Sequence, residues 1–260
     1  MKVVILCGGQ GTRLREETEV RPKPMVEIGG RPILWHIMKL YAHYGLTDFT
    51  LCLGYKGYII KDFFLNYEAR MKDFTVALGP TPSVKFHNGH REEGWSVTLA
   101  ETGETAMTGA RLRRVRRYLD GGPFCLTYGD GVGDIDLGAL LRFHRSHGKI
   151  ATVTAVRPPG RFGELQVEGR RVTSYTEKPQ ITEGVINGGF FVLEREFAER
   201  YLDDRDDLVL EKEPLQRLAA DGELMVWQHE GFWQPMDTYR EWKRLEDLWS
   251  KGEAPWKIWE

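Results

Sequence analysis

Short apolar runs alternate with amphipathic stretches along the first half of the chain. Val3-Val4-Ile5-Leu6-Cys7 is continuously apolar and stops at Gly8, which predicts a buried strand over 2–7 that ends in a tight loop. Similar runs predict strands at 49–53, 123–128 and 150–156. Between them lie helical stripes. Ile33, Ile37, Leu40, Tyr41 and Tyr44 form one, with Gly45 as its C-cap, and a second helix is predicted over 57–66. Leu112, Val115 and Leu119 form a stripe behind Thr108 as a cap, and another helix is expected over about 136–147. Strands separated by helices predict a parallel sheet with crossover helices. Residues 71–101 break the pattern and read as an irregular, β-rich excursion with Pro80, Pro82 and several glycines. After residue 157 the runs shorten. Strands are predicted at 163–167, 171–176, 185–193 and 224–229, and helices at 194–202, 213–221 and 239–249. Glycines and charges between these strands point to antiparallel or mixed pairing. No linker, low-complexity tract or repeat divides the chain, so it reads as a single domain over 1–260, with halves of about 1–156 and 157–260.

Composition narrows the class. The chain has 260 residues, 41% hydrophobic and 28% charged, which is ordinary for a water-soluble fold. A net charge of -2 argues against a dedicated nucleic-acid binder. No apolar run reaches membrane-spanning length. Met1-Lys2 and the apolar residues after it resemble the start of a signal peptide, but the run breaks at Gly8, too soon for its apolar region. Cys7, Cys52 and Cys125 each sit in a strand-like run. Their odd number and wide spacing suit buried thiols in a reducing cytoplasm, not a disulfide frame or a zinc site. The histidines show no ligand spacing, and no nucleophile elbow or Cys-His pair suggests covalent catalysis.

The candidate chemistry begins where the first strand ends. Gly8-Gly9-Gln10-Gly11-Thr12-Arg13 offers backbone N–H groups and a cation to an anion, and Lys23 follows between two prolines. The stretch is not a P-loop. Gly9 and Gly11 match the first two positions of a dinucleotide fingerprint, but Leu14 stands where the third glycine belongs. The pattern Gly-Gly-x-Gly-Thr-Arg-Leu followed by Pro-Lys-Pro instead resembles the signature of sugar-1-phosphate nucleotidylyltransferases. Asp130, in Thr127-Tyr128-Gly129-Asp130-Gly131 after an apolar run, is placed to reach the cleft and suits Mg²⁺; an ordinary Asp-Gly turn is the alternative. In Glu177-Lys178-Pro179, Lys178 suits a phosphate and Glu177 sugar hydroxyls, although such pairs are common on surfaces. Gly188-Gly189 sits within an apolar strand, where glycine marks either close approach of a ligand or a bulge. Phe162 and Gly163 could wall a sugar pocket. Asp237 is a second carboxylate for the metal or a helix cap. Among the arginines at 111–117, Arg111 stands out as a nucleotide contact because it lies in a helix's first turn; the others read as a solvated or subunit-facing surface.

The resemblance extends over essentially the whole chain. Stretches 22–30, 32–38, 54–58, 127–131, 161–163, 186–191, 231–238 and 254–257 are similar to the branch of that family that joins CTP to glucose 1-phosphate. Departures are Cys7, where a small alanine is expected, and residues 79–93, whose role in subunit contact is left open. The resemblance implies a Rossmann-like nucleotidyltransferase fold: an α/β, mixed, mostly parallel sheet flanked by helices, with an added β-rich substrate-binding portion. It implies a nucleotide half first and a sugar-phosphate half second, with Mg²⁺ as cofactor. Leu6, Cys7, Gly8, Gly9, Gln10, Gly11, Thr12, Arg13, Lys23, Thr108, Arg111 and Gly129 would contact the nucleotide. Gly163, Glu177, Lys178 and Asn187 would hold the sugar phosphate, and Asp130 and Asp237 the metal. Arg13, Lys23 and Asp130 would carry the catalysis. Family members are cytoplasmic homo-oligomers, and CDP-glucose commonly feeds dideoxysugar synthesis for surface polysaccharide such as O-antigen. Three alternatives stay open: the same chemistry with UTP, dTTP or another sugar 1-phosphate, a non-catalytic sugar-phosphate-binding module, and a dinucleotide-dependent oxidoreductase.

Overall fold

Val3, Val4 and Ile5 have no exposed surface, because their strand lies in the middle of a sheet and is paired along both edges. The computed structural model describes residues 1–11, 14–158, 164–168, 171–176 and 184–260. The strands that position the site are β1 (Lys2–Leu6), β2 (Asp48–Leu53), β3 (Ser96–Glu101), β4 (Phe124–Tyr128), β5 (Gly131–Gly133), β6 (Ala151–Val156), β7 (Ile186–Asn187), β8 (Phe191–Leu193), β9 (Leu224–His229) and β10 (Trp233–Pro235). β2 and β4 flank β1 in parallel, and β3 continues the parallel set beyond β2. On the other side β8 runs antiparallel between β4 and β6, β7 pairs antiparallel with the far end of β6, and β9 adds to β6 in parallel. The pairing is therefore mixed in the second half, as its sequence suggests. Glu164–Glu168 and Arg171–Thr176 form an antiparallel hairpin.

Helices cover both faces. α1 (Ile33–His43), α2 (Gly57–Leu65) and the closing α3 (Tyr239–Ser250) bury Ile37, Leu40, Ile60 and Leu245 in one apolar layer with Ile5, Phe49 and Leu51. The helix Thr108–Val115 buries Leu112 and Val115 in the other layer, against Val4, Leu126 and Phe191. Thr108 is that helix's first residue and not its cap; Met107 precedes it in extended backbone.

Two regions differ from the sequence expectation. Within the irregular stretch, β3 is a full member of the sheet. It lies at the edge, with Ala100 buried but Val97 and Leu99 only partly so, which dilutes the apolar run. Phe74–Ala77 and Ser83–Phe86 form an exposed hairpin. The single strand expected over 185–193 is broken into β7 and β8, because Gly189 and Phe190 take positive φ (77° and 45°).

The chain passes from β1 outward to β2 and β3, then crosses back to β4 on the other side of β1. This reversal opens a crevice at the C-terminal ends of β1 and β4, where open α/β sheets bind ligands. The sequence from residue 249 onward packs under α1. Trp256 is fully buried, and the rings of Trp249, Trp256 and Trp259 surround His36. Core packing therefore accounts for these tryptophans.

His36 predicts an acid response. Its Nε2 lies 2.9 Å from the Ile28 carbonyl oxygen, and Trp256 Nε1 donates to Nδ1 at 3.4 Å, which fits the neutral ring. Burial pushes its pKa from 6.5 down to about 4. The unfolded chain then binds a proton that the folded chain refuses. Stability from this group is complete above about pH 6.5 and is lost as pH falls toward 4, by about 3 kcal/mol. Burial lowers His144 in the same direction. Thermal melts across pH 7 to 4.5 should show the midpoint falling, with a shallower fall in His36→Gln. An equal slope in both proteins would refute the assignment.

Candidate active site

The ends of β1 and β4 are held within backbone contact. Gly129 N–H donates to the Leu6 carbonyl at 3.1 Å, and Cys7 N–H to the Cys52 carbonyl at 3.0 Å. A Cβ on Gly129 would fall 2.9 Å from the Leu6 oxygen and 3.0 Å from Pro24, so glycine is required for this approach. Beyond Cys7, which is buried, Gly9 and Gln10 are exposed and Gly11 turns with φ +64°. This is an open backbone loop at the switch point. Thr12 and Arg13 lie outside the described residues. All three cysteines are free and buried.

Lys23 reaches the crevice from a rigid turn. Pro22-Lys23-Pro24-Met25 closes with Met25 N–H on the Pro22 carbonyl at 2.8 Å, and Pro24 and Met25 are buried. The turn aims the Lys23 ammonium at two carboxylates. Nζ donates to Asp130 Oδ2 at 2.7 Å and also to Asp237 Oδ1. Burial alone would lower the Lys23 pKa, but Asp130 and Asp237 outweigh it and hold it above the ordinary lysine value. Lys23 is therefore a cation at neutral pH.

The two carboxylates meet because β5 and β10 pair. Gly131, Val132 and Gly133 stand opposite Pro235, Gln234 and Trp233, and Met236 N–H donates to the Asp130 carbonyl at 2.8 Å. Asp130 and Asp237 thus emerge at one end of a short ladder. Asp237 is not the cap of α3. Thr238 is, with Glu241 N–H donating to Thr238 Oγ1 at 3.3 Å. The Glu241 carboxylate accepts from Asp237 N–H at 2.8 Å and Thr238 N–H at 2.9 Å. The capping box leaves the Asp237 side chain to the crevice.

Arg111 sits beside the loop, almost fully buried, with its fork turned onto backbone. Nη1 donates to the Leu53 and Gly103 carbonyls at 3.0 and 2.7 Å and to Thr102 Oγ1 at 2.9 Å; Nη2 donates to the Gly8 and Glu104 carbonyls at 2.9 and 3.2 Å. It ties the ends of β1, β2 and β3 together. A Cβ on Gly8 would lie 2.1 Å from Nη1, so this glycine makes room for the guanidinium.

Asn187 lies on the far side, where Nδ2 donates to the Tyr128 hydroxyl at 3.1 Å and Oδ1 accepts from Gly189 N–H at 2.8 Å. Tyr128 in turn donates to Glu211 Oε1 at 2.7 Å, and Thr108 Oγ1 donates to Glu211 Oε2 at 2.7 Å. Sequence reasoning singled out Thr108 and Asn187 but missed Glu211, which sits in a turn just after Leu208-Val209-Leu210 without a local signal. Gly163, Glu177 and Lys178 lie outside the described residues, as does Phe162.

Asp130 and Asp237 come from distant segments, yet both contact one cation, the Lys23 ammonium. Hard carboxylate oxygens in a pair, completed by substrate phosphates, fit Mg²⁺. Among the described residues no group of three or more His, Cys, Asp or Glu side chains is placed to hold a metal. No helix among the described residues is long and apolar enough to cross a membrane.

A glycine loop, a buried lysine and paired carboxylates at a switch point define a protein that handles nucleotide phosphates. A family model for nucleotidyl transferases matches residues 2–238, and the chain belongs to that family. Within it, a glucose-1-phosphate cytidylyltransferase from Salmonella typhi is 54% identical over 261 residues, covering 100% of both chains. The catalytic subunit beta of a mannose-1-phosphate guanylyltransferase from Dictyostelium discoideum is 30% identical over 91% of this chain and 62% of its own. An inositol-1-phosphate CTP transferase from T. maritima has the same fold, with a TM-score of 0.68 at 16% identity over 100% of this chain and 97% of its own.

Proposed function

We propose that this chain transfers the cytidylyl group of CTP to α-D-glucose 1-phosphate, releasing pyrophosphate and forming CDP-glucose. The observation that carries this reading is the meeting of Lys23, Asp130 and Asp237 at the switch point, in a chain 54% identical end to end to a glucose-1-phosphate cytidylyltransferase. The attacking oxygen of a sugar phosphate is already anionic and needs no general base. The protein's task is to align it with the α-phosphorus and to offset charge. The open loop from Gly8 to Gly11, with Thr12 and Arg13, would wrap the triphosphate, and Arg13 would favour departure of pyrophosphate. Leu6, Cys7 and Thr108 would face the nucleoside, with Arg111 and Gly129 shaping that wall. Lys23 would neutralise the attacking and α-phosphates. Lys178 would anchor the sugar phosphate, while Gly163, Glu177 and Asn187 would read its hydroxyls. Asp130 and Asp237 would hold Mg²⁺, which when bound supplies positive charge to the phosphates.

Pyrophosphate release, measured over a panel of CTP, UTP, dTTP, GTP and ATP against several sugar 1-phosphates, tests the reading. CTP with glucose 1-phosphate should give the highest kcat/KM by at least tenfold, about 1.4 kcal/mol. A higher value for another pair would replace the substrate assignment. No release from any pair would favour a binding module.

A further inference from the structure

A line of hydrogen bonds crosses the C-terminal edge of the sheet, and one carboxylate sets its direction. Glu211 accepts through both oxygens: Thr108 Oγ1 at 2.7 Å on one, the Tyr128 hydroxyl at 2.7 Å on the other. A carboxylate accepts only, so each hydroxyl commits its single proton to it. The Tyr128 oxygen is then left to accept from Asn187 Nδ2 at 3.1 Å, and Thr108 Oγ1 to accept from Leu210 N–H at 2.9 Å. Gly189 N–H holds the other end of the Asn187 amide at 2.8 Å. While these bonds are made the amide points one way, with one Nδ2 hydrogen left for a ligand.

The ends of this line belong to different subsites. Thr108 opens a helix in the first half of the chain, whereas Asn187 lies on β7 in the second; on the substrate reading above these are the nucleotide and sugar-phosphate halves. We propose that Glu211 is a positioning residue that couples the two subsites, through Thr108 on one side and through Tyr128 and Asn187 on the other. This rests on the substrate reading above. A nucleotide that holds Thr108 favours the state with every bond of the line made over states with one broken, Glu211 and the Asn187 amide included, so the sugar phosphate meets an oriented donor. By linkage the effect is reciprocal. Charge-assisted bonds to one acceptor make such a line cooperative.

The test is calorimetric, in Mg²⁺, with glucose 1-phosphate and a CTP analogue whose α–β bridging oxygen is replaced by methylene. Each ligand is titrated alone and in the presence of the other. In the unmodified chain each should tighten the other by a factor of about 5–150, the usual range of such coupling. Glu211→Gln puts an amide N–H₂ where an acceptor stood, and Tyr128→Phe deletes only the hydroxyl. Both should bring the factor close to one, while each ligand's Kd alone changes less than about threefold and the melting midpoint holds. A merely structural role would shift the midpoint and leave the factor intact. An undiminished factor in Tyr128→Phe overturns the proposal, as does a factor of one in the unmodified chain. Failure of the unmodified chain to bind either ligand overturns the substrate reading and this proposal together.

Discussion

Lys23→Ala should lower kcat by at least about 10²–10³-fold, or ~3–4 kcal/mol of barrier, while the chain stays folded. The Lys23 ammonium is buried, charged at neutral pH, and bonded to both carboxylates of the crevice. In the reaction it would stand where two anionic groups must approach each other. Removing it leaves that repulsion uncompensated in a site partly shielded from water. Lys23→Arg should not restore the rate. The guanidinium is larger and planar, and the turn is tight: a Cβ on Gly11 would already come within 3.3 Å of Lys23 Cβ. Folding should survive, because Pro24 and Met25 hold the turn by packing and backbone bonds that do not involve the ammonium. Initial rates of pyrophosphate release and thermal melts check this. A folded Lys23→Ala protein within tenfold of normal turnover would remove Lys23 from the mechanism.

The parts of the site that were legible in the sequence are those with a local cause. The loop after β1 could be read because an unbroken apolar run ends at glycines, and the Pro-Lys-Pro turn because its residues fix their own backbone. Asp237 was ambiguous, since aspartate caps helices as readily as it binds metal. That it is not the cap was nevertheless present in Thr238-x-x-Glu241, a capping box that gives the cap to the next residue. Arg111 shows the opposite limit. Its place in a helix's first turn marked it as a nucleotide contact, but gave no sign that β1, β2 and β3 bring their carbonyl ends together around its guanidinium. Glu211 had no signal at all, because its partners are joined only by the fold. β3 escaped for a simpler reason: an edge strand buries too little to show a clear apolar period.

Asp237→Asn separates the metal reading from the others. Asparagine keeps the shape and one acceptor oxygen but removes the charge. The capping box is untouched, because Glu241 bonds the backbone N–H groups of residues 237 and 238 and Thr238 supplies the cap. The melting midpoint should therefore move little. If Asp237 and Asp130 hold Mg²⁺ as a pair, losing one charge should weaken the metal more than the 10–100-fold typical of outer-shell partners. The Mg²⁺ concentration for half-maximal rate should rise by that factor, and Mn²⁺ binding followed by spin resonance in the presence of the methylene analogue should weaken in parallel. The Lys23 ammonium gives a second reading. With one of its two carboxylates neutral, the attraction that raises its pKa is reduced, so it releases its proton at lower pH. The alkaline limb of the pH–rate profile should move toward neutrality. Unchanged metal dependence with a shifted alkaline limb would make Asp237 a partner of Lys23 and not a metal ligand, leaving Asp130 as the proposed carboxylate for the metal.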